Sequence, residues 1–220
     1  MPPMSDDSPI SRGMKSQLAE RRRQLARDDR GLGWKLGFGT SAAMQKLGID
    51  APLVGYLLQS GRLESGAVVD ISQWGNPKLE PEIAARVGED GEITAIGAAI
   101  ELIDLDPSVG DPEAILAANI FQRHVLLGPV TEGAGTGDVS LRVAVNGEEV
   151  AATDDVIEAT GGLDELVRHV AATLKDAGES LERAEMVICG SVVPALDVAP
   201  GDEVEVSLEP LGSLTVSFGE

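Results

Sequence analysis

Pro77-Lys78-Leu79-Glu80-Pro81-Glu82-Ile83-Ala84, followed further on by Ala99-Ile100-Glu101-Leu102-Ile103-Asp104, are the segments on which the reading of this chain turns. In an extended strand, residues two apart point to the same face, so Glu80 and Glu82 can converge on one point. The Glu-x-Glu pattern does not decide the matter alone. Glu203-Val204-Glu205 repeats it near the C-terminus, where alternation with apolar residues marks a wet strand face. Glu101 changes the balance, because Ala95 to Ile103 is otherwise almost entirely apolar. A lone carboxylate in such a run is costly to bury unless it is paired or bound to a metal. Three carboxylates, with water or substrate completing the shell, suit Mg²⁺ or Mn²⁺ rather than zinc or copper.

Outward from these segments the pattern is mainly strand. Ala67-Val68-Val69, residues 82–87, 93–103, 125–127 and 139–145 form short apolar or alternating runs. Gly88-Glu89-Asp90-Gly91 predicts a turn, and Asn146-Gly147 predicts a hairpin. Val204-Val206-Leu208 and Leu214-Val216-Phe218 alternate around Pro210-Leu211-Gly212 and predict an edge hairpin. Helices are expected at residues 15–28, with Met14, Leu18 and Leu25 inward, and over a short stretch capped by Thr40 or Ser41 and ended by Gly48. A late helix is expected at 163–177, where Leu163, Leu166, Val167, Val170 and Leu174 share a stripe. The reading is α+β, with a disordered tail at 1–13, an N-terminal helical segment at 14–60 and a β-rich catalytic domain at 61–220.

The formal charge of −20, with lysine supplying only Lys15, Lys35, Lys46, Lys78 and Lys175, argues against nucleic acid or an anionic membrane as a partner. An anionic substrate would need local positive charge from a metal or a lysine. The Arg21-Arg22-Arg23 triplet lies among Glu20, Asp28 and Asp29 and reads as a solvated helix face. No apolar run approaches the roughly 20 residues of a membrane span. The N-terminal residues carry no secretory stretch, so a cytoplasmic protein is expected. Cys189, the single cysteine, sits in an apolar segment and reads as a buried, inert thiol.

Three sets of residues together resemble a known family. Gly33-Trp34-Lys35-Leu36-Gly37, continuing through Thr40-Ser41 to Ala51-Pro52, is similar to the Gly-Tyr-Lys-Val-Gly-Leu-Thr-Ser stretch of the 2-keto-4-pentenoate hydratase and 4-oxalocrotonate decarboxylase branch of the fumarylacetoacetate hydrolase superfamily. Residues 77–84 resemble that branch's Pro-x-x-Glu-x-Glu-Ile-Ala metal motif, and 99–104 its third-ligand segment. Cys189-Gly190-Ser191, residues 198–202 and residues 211–218 resemble its C-terminal signature.

The resemblance implies a fumarylacetoacetate-hydrolase-like β-roll in which Glu80, Glu82 and Glu101 hold Mg²⁺ or Mn²⁺. It implies Lys35 in proton transfer or substrate-anion binding and Ser191 in the site wall. It further implies a homo-oligomer acting on a small 2-oxo acid, first as a hydratase of a 2-hydroxypenta-2,4-dienoate-like compound. The alternatives are a decarboxylase of the 4-oxalocrotonate type and a non-catalytic partner subunit of a hydratase–decarboxylase complex. Residues 82–101 are shorter than the family spacing, and 119–126 and 159–163 depart from it, which implies a remodelled pocket. Asp104 is expected beside the metal ligands or at a strand-ending turn. His124 and an exposed His169 read as ordinary polar residues, and Gly133 to Gly137 as a flexible loop.

Overall fold

The computed structural model describes residues 8–135, 137, 139–156 and 160–220. In chain order the elements are α1 (Pro9–Leu25), β1 (Gly31–Gly37), α2 (Ser41–Leu47), β2 (Leu53–Leu58), β3 (Arg62–Leu63), β4 (Ala67–Asp70), β5 (Pro77–Val87) and β6 (Ile93–Asp104). There follow α3 (Pro112–Ala117), β7 (Gln122–Leu127), β8 (Thr131–Glu132), β9 (Ser140–Val145), β10 (Glu148–Thr153) and α4 (Leu163–Asp176). Strands β11 (Met186–Ile188), β12 (Leu196–Asp197), β13 (Glu203–Glu209) and β14 (Gly212–Gly219) complete the described set.

The antiparallel β5–β6 ladder is the axis of the molecule. It runs from Pro77 opposite Asp104 to Val87 opposite Ile93, and its tight turn has Gly91 at φ 80°. One sheet is ordered β2-β1-β11-β5-β6-β7-β3, with β12 also pairing β5 and β8 pairing β6. The second is ordered β10-β9-β13-β14-β4, and its β13 and β14 pack across β6. The inward residues of both sheets, among them Leu79, Ile83, Ile100, Leu102, Val206 and Val216, are buried and supply most of the core. Burial at roughly 25 cal/mol per Å² of apolar surface is the main favourable term.

Parallel strands β1 and β11 approach very closely, with Gly33 opposite Met186. A Cβ on Gly33 would lie 1.8 Å from the Met186 carbonyl oxygen, so no other residue fits there. The Asn146-Gly147 hairpin forms as expected, with both residues at positive φ (53° and 82°) as a two-residue turn requires. Helix α4 buries Leu163, Val167, Val170 and Leu174, and α2 is capped by Thr40 and ended by a left-handed Gly48.

Several expectations change. Helix α1 begins at Pro9, with the Ser8 side chain accepting from the Ser11 N–H at 3.1 Å, so residues 9–13 are helix rather than tail and Ser8 is their cap. Serine before a proline at the first helical position is a strong start signal, and the buried Gly13 lets the helix lie close against α3. The expected tail at residues 1–7 lies outside the described residues. The 14–60 segment is not helical throughout: β1 and β2 join the main sheet.

Arg21 is not solvated. Its guanidinium lies 4.6 Å from the Trp34 ring centroid and 3.8 Å from both Glu179 and Glu185. The β13–β14 hairpin is internal to its sheet, with β4 and β10 on the edges. Of the Gly133 to Gly137 loop, Thr136 lies outside the described residues.

Candidate metal centre

Strand register builds the site. Glu80 on β5 stands directly opposite Glu101 on β6, and Glu82 follows two residues along on the same face. Like charges placed opposite each other on a sheet repel, and here Glu101 is fully buried and Glu80 partly so. One oxygen of each of Glu80, Glu82 and Glu101 falls within 4.8 Å of the others. Glu82 and Glu101 are fully buried. Oε2 of Glu82 accepts the Gly190 N–H at 2.9 Å. Oε1 of Glu82 and Oε2 of Glu101 have no hydrogen-bond partner.

Lys35 reaches the triad from β1. It is 1 % exposed, its ammonium donates to Glu101 Oε1, and it lies 3.3 Å from the Ile120 carbonyl. Gly55, its register partner on β2, leaves room for the stem, since a Cβ there would stand 2.9 Å from Lys35 Cγ. Asn119 fixes the opposite side. Its side chain accepts from Tyr56 N–H at 2.9 Å and donates to Tyr56 O at 3.0 Å. Asn119, Ile120 and Phe121 all have positive φ (49°, 53° and 62°), a left-handed turn that costs non-glycine residues roughly 1–2 kcal/mol each. That turn aims the Ile120 carbonyl at Lys35.

Burial raises the Glu101 carboxyl to about 7, against the opposing pull of Lys35. Burial, reinforced by the charges of Glu101 and Glu80, holds Glu82 well above the usual carboxylate range. Glu80 is also raised by burial. The set is acceptor-rich and short of donors. With all three carboxyls ionised, as ligation requires, three carboxylates and one ammonium leave two negative charges, the number that a divalent cation cancels.

A cavity of about 460 Å³ opens over Glu80, walled by Lys78, Thr40, Phe121, Gly190 and Ser191 among others. A larger one of about 820 Å³, around Asn76, Asp104 and Arg123, contains none of the triad. The sequence-derived Glu80, Glu82, Glu101 and Lys35 thus meet at one point, although Lys35 stands behind the triad rather than in the cavity wall. Ser191 lines the cavity with its hydroxyl donating to Val193 O at 2.5 Å.

Asp104 serves a turn, accepting from Asn76 N–H at 2.8 Å and from Arg123 at 3.1 Å. His124 stacks on Trp74, and burial lowers its pKa. His169 is half-buried rather than exposed, with Nε2 2.8 Å from Pro52 O. Cys189 is buried, its thiol pushed far up by burial. The sequence reading missed Lys78, Phe121 and Asn119. Lys78 was recoverable by the same two-residue alternation that singled out Glu80 and Glu82.

The family model described as fumarylacetoacetate (FAA) hydrolase C-terminal matches residues 42–218. The chain belongs to the fumarylacetoacetate hydrolase family. Among relatives of this family member, a 4-oxalocrotonate decarboxylase of Pseudomonas putida is 28 % identical over 218 residues, covering 90 % of this chain and 81 % of the relative. A 2-keto-4-pentenoate hydratase of Paraburkholderia xenovorans is 24 % identical over 220 residues, covering 92 % and 81 %.

In fold, this fumarylacetoacetate hydrolase family chain is similar to 4-oxalocrotonate decarboxylase from Pseudomonas putida G7 complexed with magnesium and adipate. The TM-score is 0.84 at 24 % identity, covering 95 % of this chain and 86 % of the other. Fumarylpyruvate hydrolase from Pseudomonas aeruginosa in complex with Mn²⁺ and pyruvate gives 0.66 at 16 % identity, covering 86 % and 89 %. The α+β architecture expected from the sequence is thus the family's own.

Proposed function

We propose that this protein is a divalent-metal enzyme of small unsaturated 2-oxo acids, and that its overall reaction is loss of CO₂ from a substrate of the 4-oxalocrotonate type. The observation that supports the metal is the pair of buried, partnerless oxygens on Glu82 and Glu101, within reach of Glu80. An unsatisfied buried acceptor is costly, and a hard cation relieves it with oxygen ligands. Glu80, Glu82 and Glu101 would hold Mg²⁺ or Mn²⁺. When bound, such an ion supplies a Lewis acid for a 2-oxo acid to chelate.

The chain's own groups set the rest. The Gly190 N–H orients Glu82, and Lys35 orients Glu101 and offsets part of the triad's charge. Lys35 is therefore a positioning residue in this reading, acting through Glu101. Loss of CO₂ breaks one C–C bond, and its electron pair runs along the conjugated chain to the 2-oxo oxygen. No proton need reach carbon in that step.

Water addition would require a base to activate water. The ionisable groups among the described cavity-lining residues are Lys78, Glu80 and Cys189. Glu80 is committed to the cation, Lys78 is paired with Asp197, and the Cys189 thiol is held protonated. Decarboxylation is therefore preferred to the hydration first expected from the sequence. Hydration is kept as the second reading because hydratases are among the relatives, at 24 % identity.

The test supplies Mg²⁺ or Mn²⁺ with 2-oxohex-3-enedioate in one assay and 2-hydroxypenta-2,4-dienoate in another. CO₂ release in the first, abolished by Glu82→Gln, is expected. Turnover of the second substrate alone would replace decarboxylation with hydration, and turnover of neither would remove the proposed activity.

A further inference from the structure

We infer that Lys78 and Asp197 form a carboxylate-selecting subsite that makes this cavity specific for 2-oxo dicarboxylates, an inference that rests on the 2-oxo acid reading above. Lys78 is the one cation among the described residues lining the cavity. It lies two residues before Glu80 on β5, so both side chains share a face at roughly 6.6 Å separation along the strand. A six-carbon chain chelated at its 2-oxo end over Glu80 would bring its far end towards Lys78.

The state of Lys78 fits such a role. Its side chain is 18 % exposed and its ammonium is held by Asp197, its cross-strand neighbour on β12. Asp197 is itself 87 % exposed, so water can solvate it when the lysine leaves. Exchanging this carboxylate for that of a ligand therefore leaves no buried charge unpaired. The pair would serve CO₂ loss as well. As the far carboxylate becomes neutral CO₂ it stops holding Lys78, and Asp197 takes the ammonium back. Compensation of this kind matters, because a cation left without a partner would favour the bound carboxylate and oppose its loss.

The experiment measures calorimetric binding of two probes to protein saturated with Mg²⁺. One is 2-oxoadipate, which has a far carboxylate but no conjugation through which to lose it. The other is 2-oxohexanoate, of equal length without that carboxylate. Wild type should prefer 2-oxoadipate by roughly 10- to 100-fold, the scale of one charge-assisted hydrogen bond. Lys78→Met should erase the preference by weakening 2-oxoadipate alone. Asp197→Asn should tighten 2-oxoadipate several-fold by removing its competitor, leaving 2-oxohexanoate unchanged. Equal affinities in wild type, or a preference that survives Lys78→Met, overturn the subsite and leave the 2-oxo acid reading intact. Failure of both probes to bind overturns subsite and reading together.

Discussion

At the scale of single residues, the centre is a problem of excess negative charge in a dry place. Glu101 illustrates it: burial holds its carboxyl at about 7, above the unperturbed 4.5, although Lys35 pulls the other way. Glu82 is shifted in the same direction. Below about pH 7 a metal must displace the Glu101 proton, and the Glu82 carboxyl, raised by the same burial, adds a second competing proton. Mg²⁺ or Mn²⁺ affinity should therefore rise with pH, by roughly tenfold or more per unit below about 7. For the metal-free protein the sign reverses. The folded state holds a proton that the unfolded chain has already lost, so stability should fall as pH climbs from about 4.5 to about 7. Titration calorimetry across this range, with denaturation in a chelator alongside, checks both slopes. Metal affinity independent of pH would mean that Glu101 is not a ligand.

At the scale of elements, the site depends on how closely strands and turns approach one another. Lys35 on β1 reaches Glu101 because its β2 partner is Gly55 and because the left-handed turn Asn119–Phe121 closes over its head. Alanine at position 55 would meet Lys35 Cγ at 2.9 Å and Asn119 Oδ1 at 3.0 Å, with neither free to move without losing a bond. Gly55→Ala should cost about 1–3 kcal/mol of stability, the usual scale of overpacking. It should also weaken metal binding by shifting Lys35 from Glu101. Gly110→Ala is the control, since nothing stands within 4 Å of a Cβ there. Chemical denaturation of both variants with and without Mn²⁺ measures the difference. Equal midpoints would show that the crowding is relieved elsewhere.

At the scale of the whole molecule, a charge of −20 surrounds a site for which an anionic substrate is proposed. Exposed charges act over a Debye length of about 10 Å at 0.1 M salt, and less as salt rises. Raising salt from roughly 10 to 150 mM should therefore speed association of 2-oxoadipate and weaken that of Mg²⁺. This is the reverse of the behaviour of a basic, substrate-steering surface. Stopped-flow traces at several salt concentrations give both trends. An association rate for the dianion that falls with salt would place a positive field at the cavity mouth that the total charge conceals. Among the described residues, no helix is long and apolar enough to cross a membrane.

The division between sequence and structure follows the range of the forces involved. Alternation along one strand made Glu80 and Glu82 neighbours in the sequence itself, and the cost of burying Glu101 in an apolar run marked it as exceptional. The Thr40 and Gly48 caps, the Asn146-Gly147 turn and the stripe of α4 were legible too, because each is set by residues a few positions apart. Lys78 obeyed the same alternation and was missed only because its partner, Asp197, comes from a distant strand.

Other features had no local signal. That Arg21 leaves the solvent to stack on Trp34, that β13 and β14 lie inside their sheet, and that Asn119 braces β2 are decided by packing between segments far apart in the chain. The sequence by itself determined which side chains could form a hard-metal centre. Only the tertiary structure decided that Lys35 stands behind the triad and Lys78 in front of it, because the side of a carboxylate cluster that a lysine approaches depends on the strand it comes from and on what that strand packs against.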